Sequence, residues 1–222
     1  MRITSLDAKV LRIPRSSRLT TSYGSEDNAT TLLIEVHTDE GVVGIGQASV
    51  DAPFYGETAE GMLVNIRKHV APALVGMDPM ATTACRQAMA RALPHHEFSH
   101  SGVDMALLDL KGKALGVPMY DLLGGKVRDG LTLMGFIHHG TPEEMAHTAV
   151  KAVDEHGYAV LKMKIGIDPV GDVARYRAVA EALQGRAIVQ VDGNTGYQLW
   201  EALWALGEME AIGGLGCVEQ AV

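Results

Sequence analysis

The sequence predicts an α+β domain over residues 1–125, followed by a parallel β/α domain over residues 126–222. Three observations carry that reading. Residues 1–50 alternate apolar and polar side chains around a turn signal. Residues 57–125 carry apolar side chains at helical spacing. From about residue 127 onward, four short apolar runs alternate with helical segments at a repeat of about 30 residues.

The first domain opens as a β meander. "RITSLDAKVLRI" alternates, "TTLLIEVHT" is rich in β-branched residues, and "VVGIGQAS" returns after the turn "DEG" at 39–41. Between the first two strands, "PRSSRLTTSYGSEDNA" reads as a long polar loop. "DAPFYGE" reads as a second loop. Helices follow in "ETAEGMLVNIRKHVAPALVG", "PMATTACRQAMARAL" and "SGVDMALLDLKGKALG". Ser101 is the expected cap of the third, with Asp104 at N3 and Gly116 as its stop. Asp109 and Lys113 form a favourable i, i+4 pair. His95, His96 and His100 fall between helices in this reading, as loop residues without ligand spacing.

The second domain begins with the strand "LTLMGFIHHG". The helix "TPEEMAHTAVKAVDEHG" has Thr141 as N-cap, Pro142 at N1 and Glu144 at N3. "YAVLKMKIG", "AIVQVDGN" and "LGCVEQAV" are the remaining strands, with helices over "PVGDVARYRAVAEALQG" and "YQLWEALWALGEMEAIG" between them. Such units suit a doubly wound sheet or a (β/α) barrel. No glycine-rich phosphate fingerprint follows the first strand, which argues against a dinucleotide site.

Charge narrows the partners. The 222 residues carry a net charge of −8, with a pI near 5.5. That balance argues against nucleic acid or an anionic membrane surface. No run approaches the roughly 20 apolar residues of a membrane span, and no signal-peptide pattern opens the chain. Cys85 and Cys217 form no disulfide framework, so a cytoplasmic location is expected.

The strand "YAVLKMKIG" poses the chemical question. Lys162 and Lys164 stand two apart, so both point to one face of an otherwise apolar element. Two like charges there are costly unless something needs them. The other strand ends are also polar: His138 and His139, then Asp192 and Asn194 in "VDGN", then Glu219 and Gln220 in "VEQ". In a parallel barrel these ends share one rim, the rim where barrel enzymes place catalysis. Asp192 and Glu219 could converge on a hard cation, for which Mg2+ is the natural choice and Mn2+ the alternative. A second cation and a metal would lower the pKa of a desolvated lysine toward ~7 to 8. Lys164, nearer the rim, would then take a proton α to a carboxylate, while Lys162 supplies positive potential. The metal would stabilise the enediolate left behind.

The set "KMK", "VDGN" and "VEQ", together with "GVDMALLDLKGKALGVPMYDLLGG", resembles the enolase superfamily, in its mandelate racemase and muconate-lactonizing branch. The resemblance covers the whole chain. It implies an α+β capping domain over 1–125 and a (β/α) TIM-type barrel, with about its first four β/α units in 126–222. It implies Lys164 as general base, Lys162 as its partner, and Asp192 and Glu219 as Mg2+ ligands. Asn194 matches the polar residue two after the first ligand. Tyr23, in the loop at 16–28, and Phe54 and Tyr55, in the second loop, become candidate substrate contacts, with His138 beside them. The resemblance further implies a small carboxylate substrate, a homo-oligomer, and racemase, cycloisomerase or dehydratase chemistry. A third metal ligand and a second acid/base are expected beyond Val222, so the chain reads as part of a longer enzyme.

Other readings compete. A truncated, catalytically silent fragment with an assembly role accounts for the missing units. A barrel lyase using Lys164 as a Schiff base leaves Asp192 and Glu219 unexplained. His138 and His139 serve equally as solvated loop residues. Cys217 is expected to fill the barrel core, and Trp200 and Trp204 to pack their helix onto the barrel.

Overall fold

The computed structural model describes residues 1–222, the side chain of Ser17 excepted. The chain divides into two compact units, Met1–Pro14 with Asn28–Asp129, and Arg15–Asp27 with Gly130–Val222.

The first unit is built on three strands in the order β1-β2-β3: β1 (Ile3–Thr21), β2 (Gly24–Thr38) and β3 (Val43–Ser49). β2 and β3 pair antiparallel, with Ile34 opposite Gly46 and Val36 opposite Gly44. Six helices follow: α1 (Ala52–Tyr55), α2 (Ala59–Asn65), α3 (Ala71–Leu74), α4 (Thr82–Ala92), α5 (Glu97–Leu115) and α6 (Met119–Leu122). A π-helical turn, Ile66–Val70, joins α2 to α3. Leu32, Ile34 and Val36 bury their side chains with Val103, Leu107 and Leu110 of α5 and with Met62, Ile66 and Val70. The sheet can approach α5 closely because β3 carries glycines. A Cβ on Gly44 would stand 2.0 Å from Ala106 O, and one on Gly46 would stand 2.0 Å from Gly102 O.

The second unit is a parallel sheet in the order β4-β5-β6-β7: β4 (Gly135–Ile137), β5 (Val160–Lys164), β6 (Ile188–Asp192) and β7 (Leu215–Glu219). Three helices connect the strands: α7 (Pro142–His156), α8 (Pro169–Leu183) and α9 (Leu199–Ile212). Thr141 and Glu144 form the expected capping box of α7. One face of the sheet is dry. Leu161, Met163, Val189 and Val191 share a core there with Met145, Ala149, Tyr176, Val179, Ala205 and Met209 of the helices. The alternation of the strands therefore sends Lys162, Lys164, Gln190 and Asp192 to the opposite face. No helix among the described residues is long and apolar enough to cross a membrane.

Several expectations are corrected. The polar stretch between the first strands is a continuation of the hairpin, with only Ser22 and Tyr23 between β1 and β2. Cross-strand partners replace the missing apolar pattern: Thr20 Oγ1 lies 2.9 Å from Ser25 Oγ, and Arg15 Nη2 lies 3.8 Å from Glu26 Oε2. Both faces of this extension are largely solvated, so no hydrophobic period marks it as strand. Phe54 and Tyr55 stand in α1 rather than in a loop, and Tyr55 stacks on Phe98 with ring centroids 4.0 Å apart.

α5 begins earlier than the Ser101 cap predicted, at Glu97, and takes in His100. Its orphan amides are satisfied from a distance. Glu57 Oε1 accepts from the N–H groups of Phe98 at 3.0 Å and Ser99 at 3.2 Å. Ser101 Oγ instead donates to Phe98 O, and Asp104 pairs with Arg86. The first strand of the second unit is only three residues long. Trp200 is 70% exposed and Trp204 is also exposed; the small residues Ala202 and Ala205 take the buried face of α9 instead. Cys217 is exposed and stands opposite Gln190, on the open face of the sheet.

Candidate active site

Lys162 and Lys164 project from β5 beside β6, where register pairs Lys162 with Gln190 and Lys164 with Asp192. β6 in turn pairs Asp192 with Glu219 of β7. That last alignment depends on a bulge. Val189 faces Leu215, but Gln190 faces Cys217, so Gly216 is skipped. Without the extra residue, Asp192 would face Val218, and Glu219 would point to the other side.

The four charged groups form one cluster. Lys164 Nζ lies 2.7 Å from Asp192 Oδ2, and Lys162 Nζ lies 2.9 Å from the same oxygen. Lys162 Nζ also lies 2.7 Å from Glu219 Oε2. Asp192 is 1% exposed, the lysines 12% and 13%, and Glu219 51%. Two ammonium groups and two carboxylates balance in charge, which is how the sheet tolerates two lysines on one face. Burial pushes the Asp192 carboxyl up, but the hydrogen bonds from Lys164 and Lys162 outweigh it and hold the group below the ordinary range. Burial pulls the Lys162 ammonium down, yet its bonds to Glu219 and Asp192 leave it raised.

The loop after β6 brings in Asn194, whose Oδ1 accepts from Lys164 Nζ at 2.8 Å. Asn194 and Thr195 both adopt left-handed backbone, with φ of 44° and 58°. Two such residues in succession cost about 1–2 kcal/mol each. The turn is held by Asp192 Oδ1, which accepts from Asn194 N at 3.0 Å, and by Thr195 N, which donates to Gln220 O at 2.7 Å. The hairpin tip also reaches this loop. Ser22 Oγ donates to Asn194 O at 2.8 Å, which brings the neighbouring Tyr23 to the same side of the unit.

His138 follows β4 and is exposed. His139 has a buried Nε2 without a hydrogen-bond partner, and burial, then the nearby Arg175, push its imidazole below the ordinary value. Phe54 and Tyr55 belong to the other unit. Sequence reasoning missed Asp172, a buried carboxylate in the first turn of α8. Its signal was faint: one aspartate shortly after "KMKIG", in a position that reads as ordinary helix-start charge.

The donor set suits a hard divalent ion. Asp192 and Glu219 offer carboxylate oxygens from paired positions at adjacent strand ends. No group of three or more His, Cys, Asp or Glu side chains able to hold a metal occurs among the described residues. These two carboxylates would supply part of the oxygen set that such an ion takes.

Comparison with known proteins decides the family. The pattern for the "Mandelate racemase / muconate lactonizing enzyme, N-terminal domain" matches residues 6–124. The chain belongs to the mandelate racemase / muconate lactonizing enzyme family. The "Enolase C-terminal domain-like" pattern matches residues 144–222 of this family member. Its capping domain and partial barrel domain are thus both accounted for. The chain is 29% identical to the N-succinyl-L-Arg/Lys racemase of Bacillus cereus, over 89% of its own length and 53% of the racemase. It is 34% identical to muconate cycloisomerase 1 of Pseudomonas putida, over 87% of its own length and 52% of that enzyme. The crystal structure of the Bacillus cereus racemase superposes with a TM-score of 0.96 at 29% identity, covering 100% of this chain and 60% of that one. A dipeptide epimerase from Enterococcus faecalis V583, solved with Mg and the dipeptide L-Leu-L-Tyr, superposes with a TM-score of 0.93 at 27% identity, covering 100% of this chain and 62% of that one. The chain spans about half the length of the two curated relatives.

Proposed function

We propose that this chain carries the proton-abstracting part of an enzyme that removes the α-proton of a small carboxylate, with Lys164 as the base. The observation that supports it most is the bonding of Lys164. Its Nζ touches two acceptors, Asp192 Oδ2 and Asn194 Oδ1. A neutral lysine amine has two hydrogens and one lone pair. Both hydrogens can stay on those acceptors, which leaves the lone pair free to face a substrate C–H. Lys162, bonded to Asp192 and Glu219, keeps a positive charge beside the position where negative charge would develop. Proton transfer to Lys164 would convert the substrate to its enediolate and leave the lysine as an ammonium.

Asp192 and Glu219 would hold a Mg2+ ion, which when bound supplies Lewis-acid polarisation of the substrate carboxylate. The four parallel strands would be the first half of a (β/α) barrel, so turnover is proposed for the whole enzyme. Its relatives carry the names of an N-succinyl-L-Arg/Lys racemase, a dipeptide epimerase, a muconate cycloisomerase and a cis-3-hydroxy-L-proline dehydratase. N-acyl amino acids, dipeptides and muconates are therefore the first substrates to screen, with Tyr23 and His138 as proposed contacts on this unit.

Incubation with such a panel in D2O and Mg2+, read by proton NMR, tests the proposal. Deuterium should enter the α-position and should fail to enter with Lys164→Ala. Exchange that survives in Lys164→Ala would remove this lysine from the base role.

A further inference from the structure

Asp172 is 0% exposed and accepts six hydrogen bonds, far more than an ion pair needs. Oδ2 receives the N–H groups of Gly166 at 2.9 Å, Ile167 at 3.2 Å and Asp168 at 3.3 Å, and the Tyr197 hydroxyl at 2.6 Å. Oδ1 receives Arg175 Nε at 3.2 Å and Nη2 at 2.7 Å. Helix capping does not account for this carboxylate, because Asp168 already caps α8 through Gly171 N. Arg175 of α8 supplies two of the six bonds, and the other four come from two loops. Gly166 stands two residues after Lys164, and Tyr197 stands three residues after Asn194.

These are the loops that present the lysine and the amide to each other. They also meet directly: a Cβ on Gly166 would stand 2.2 Å from Gly193 O, and one on Gly196 would stand 2.1 Å from Gly166 O. The second loop holds the left-handed residues Asn194 and Thr195, so it needs an anchor on both sides. On its near side, Asn194 N is held by Asp192. On its far side lies Tyr197, 3% exposed, whose hydroxyl ends on Asp172.

We propose that the Asp172–Tyr197 hydrogen bond is a latch that ties the loop after β5 to the loop after β6 and so sets the approach of Asn194 to Lys164. Both are positioning residues and touch no reacting atom. The inference rests on the reading of Lys164 as base, but the latch itself can be read without turnover.

Tyr197→Phe removes one oxygen and keeps the ring. Backbone amide hydrogen exchange in the full chain should quicken at least about tenfold at residues 193–197, while the interiors of α8 and α9 keep their protection. In the turnover assay, kcat for α-deuterium uptake should fall about tenfold with KM unchanged. Asp172→Asn should loosen residues 166–168 as well. Unchanged exchange at 193–197 in Tyr197→Phe overturns the latch.

If Tyr197→Phe does not fold, the unmodified protein still decides. Residues 166–168 and 193–197 should open together, with one urea dependence; separate openings overturn the proposal. Quickened amide exchange in Tyr197→Phe, with no α-deuterium uptake by the unmodified protein, supports the latch and sinks the proton-abstraction reading. Robust uptake that Tyr197→Phe leaves unchanged, along with unchanged amide exchange, does the reverse.

Discussion

Lys164 and Asp192 are register partners on β5 and β6, and Lys164 Nζ lies 2.7 Å from Asp192 Oδ2. The pair is fixed by backbone pairing rather than by side-chain reach. Ile165 N also donates to Asp192 O at 3.0 Å, which continues the ladder past the lysine. The backbone positions of the two residues cannot drift apart without the strands separating.

That placement carries a stability cost when it is broken. Lys164→Ala leaves the buried Asp192 with Lys162 as its remaining cation. Urea unfolding should show a loss of about 2 kcal/mol, below the full cost of stripping a buried pair because Lys162 stays. A loss near zero would mean that the Lys164 bond adds nothing to the fold.

Lys162 occupies oxygens that a metal would need, on both Asp192 and Glu219. Lys162→Gln should therefore bind Mg2+ several-fold more tightly than the unmodified chain, because one ammonium no longer competes for the oxygens or repels the ion. Asp192→Asn should bind it more weakly than either. Calorimetric titration measures both. Equal affinity in Lys162→Gln and the unmodified chain would place the metal elsewhere.

Glu57 supplies a pH-dependent part of the first unit's stability. Burial pushes its carboxyl up, but the bonds from Ser99 and Phe98, with His96 nearby, outweigh it and leave it lowered from the ordinary 4.5. A lowered carboxyl stabilises the fold at pH values above the unfolded value. The contribution disappears as the pH falls through the folded value. Glu57→Gln should cost roughly 1–3 kcal/mol at neutral pH. The gap between the two proteins should then close on acidification below pH 4.5. Urea midpoints measured across that range check it, and a gap that holds constant would contradict it.

Gly166 has a φ of 100°, and a Cβ there would meet Gly193 O at 2.2 Å. Gly166→Ala should cost about 2 kcal/mol or more. It should also weaken Mg2+ binding, because Gly193 directly follows Asp192. Thermal unfolding and the same titration would show it. A substitution without effect on either would mean that the two loops part easily.

Much of the site was legible because strands announce their period. Lys162 and Lys164 two apart must share a face, and "VDGN" and "VEQ" end strands whose spacing repeats. The hairpin extension was illegible because its pairing rests on polar cross-strand contacts such as Thr20 with Ser25. The start of α5 was hidden because its cap, Glu57, lies 41 residues away from Phe98. Trp200 and Trp204 misled because bulk suggests burial, whereas α9 packs through Ala202 and Ala205.

By itself, then, the sequence determined the order of strands and helices, the capping box at Thr141 and Glu144, and which side chains share the open face of the parallel sheet. These follow from local periodicity and from bonds between near neighbours. Only the tertiary structure decided that a bulge at Gly216 brings Glu219 level with Asp192. Only it decided that Lys162 bridges two carboxylates, and that Asp172 joins two loops through Tyr197. Those relations depend on register and on contacts distant in the chain, and neither leaves a period in the sequence.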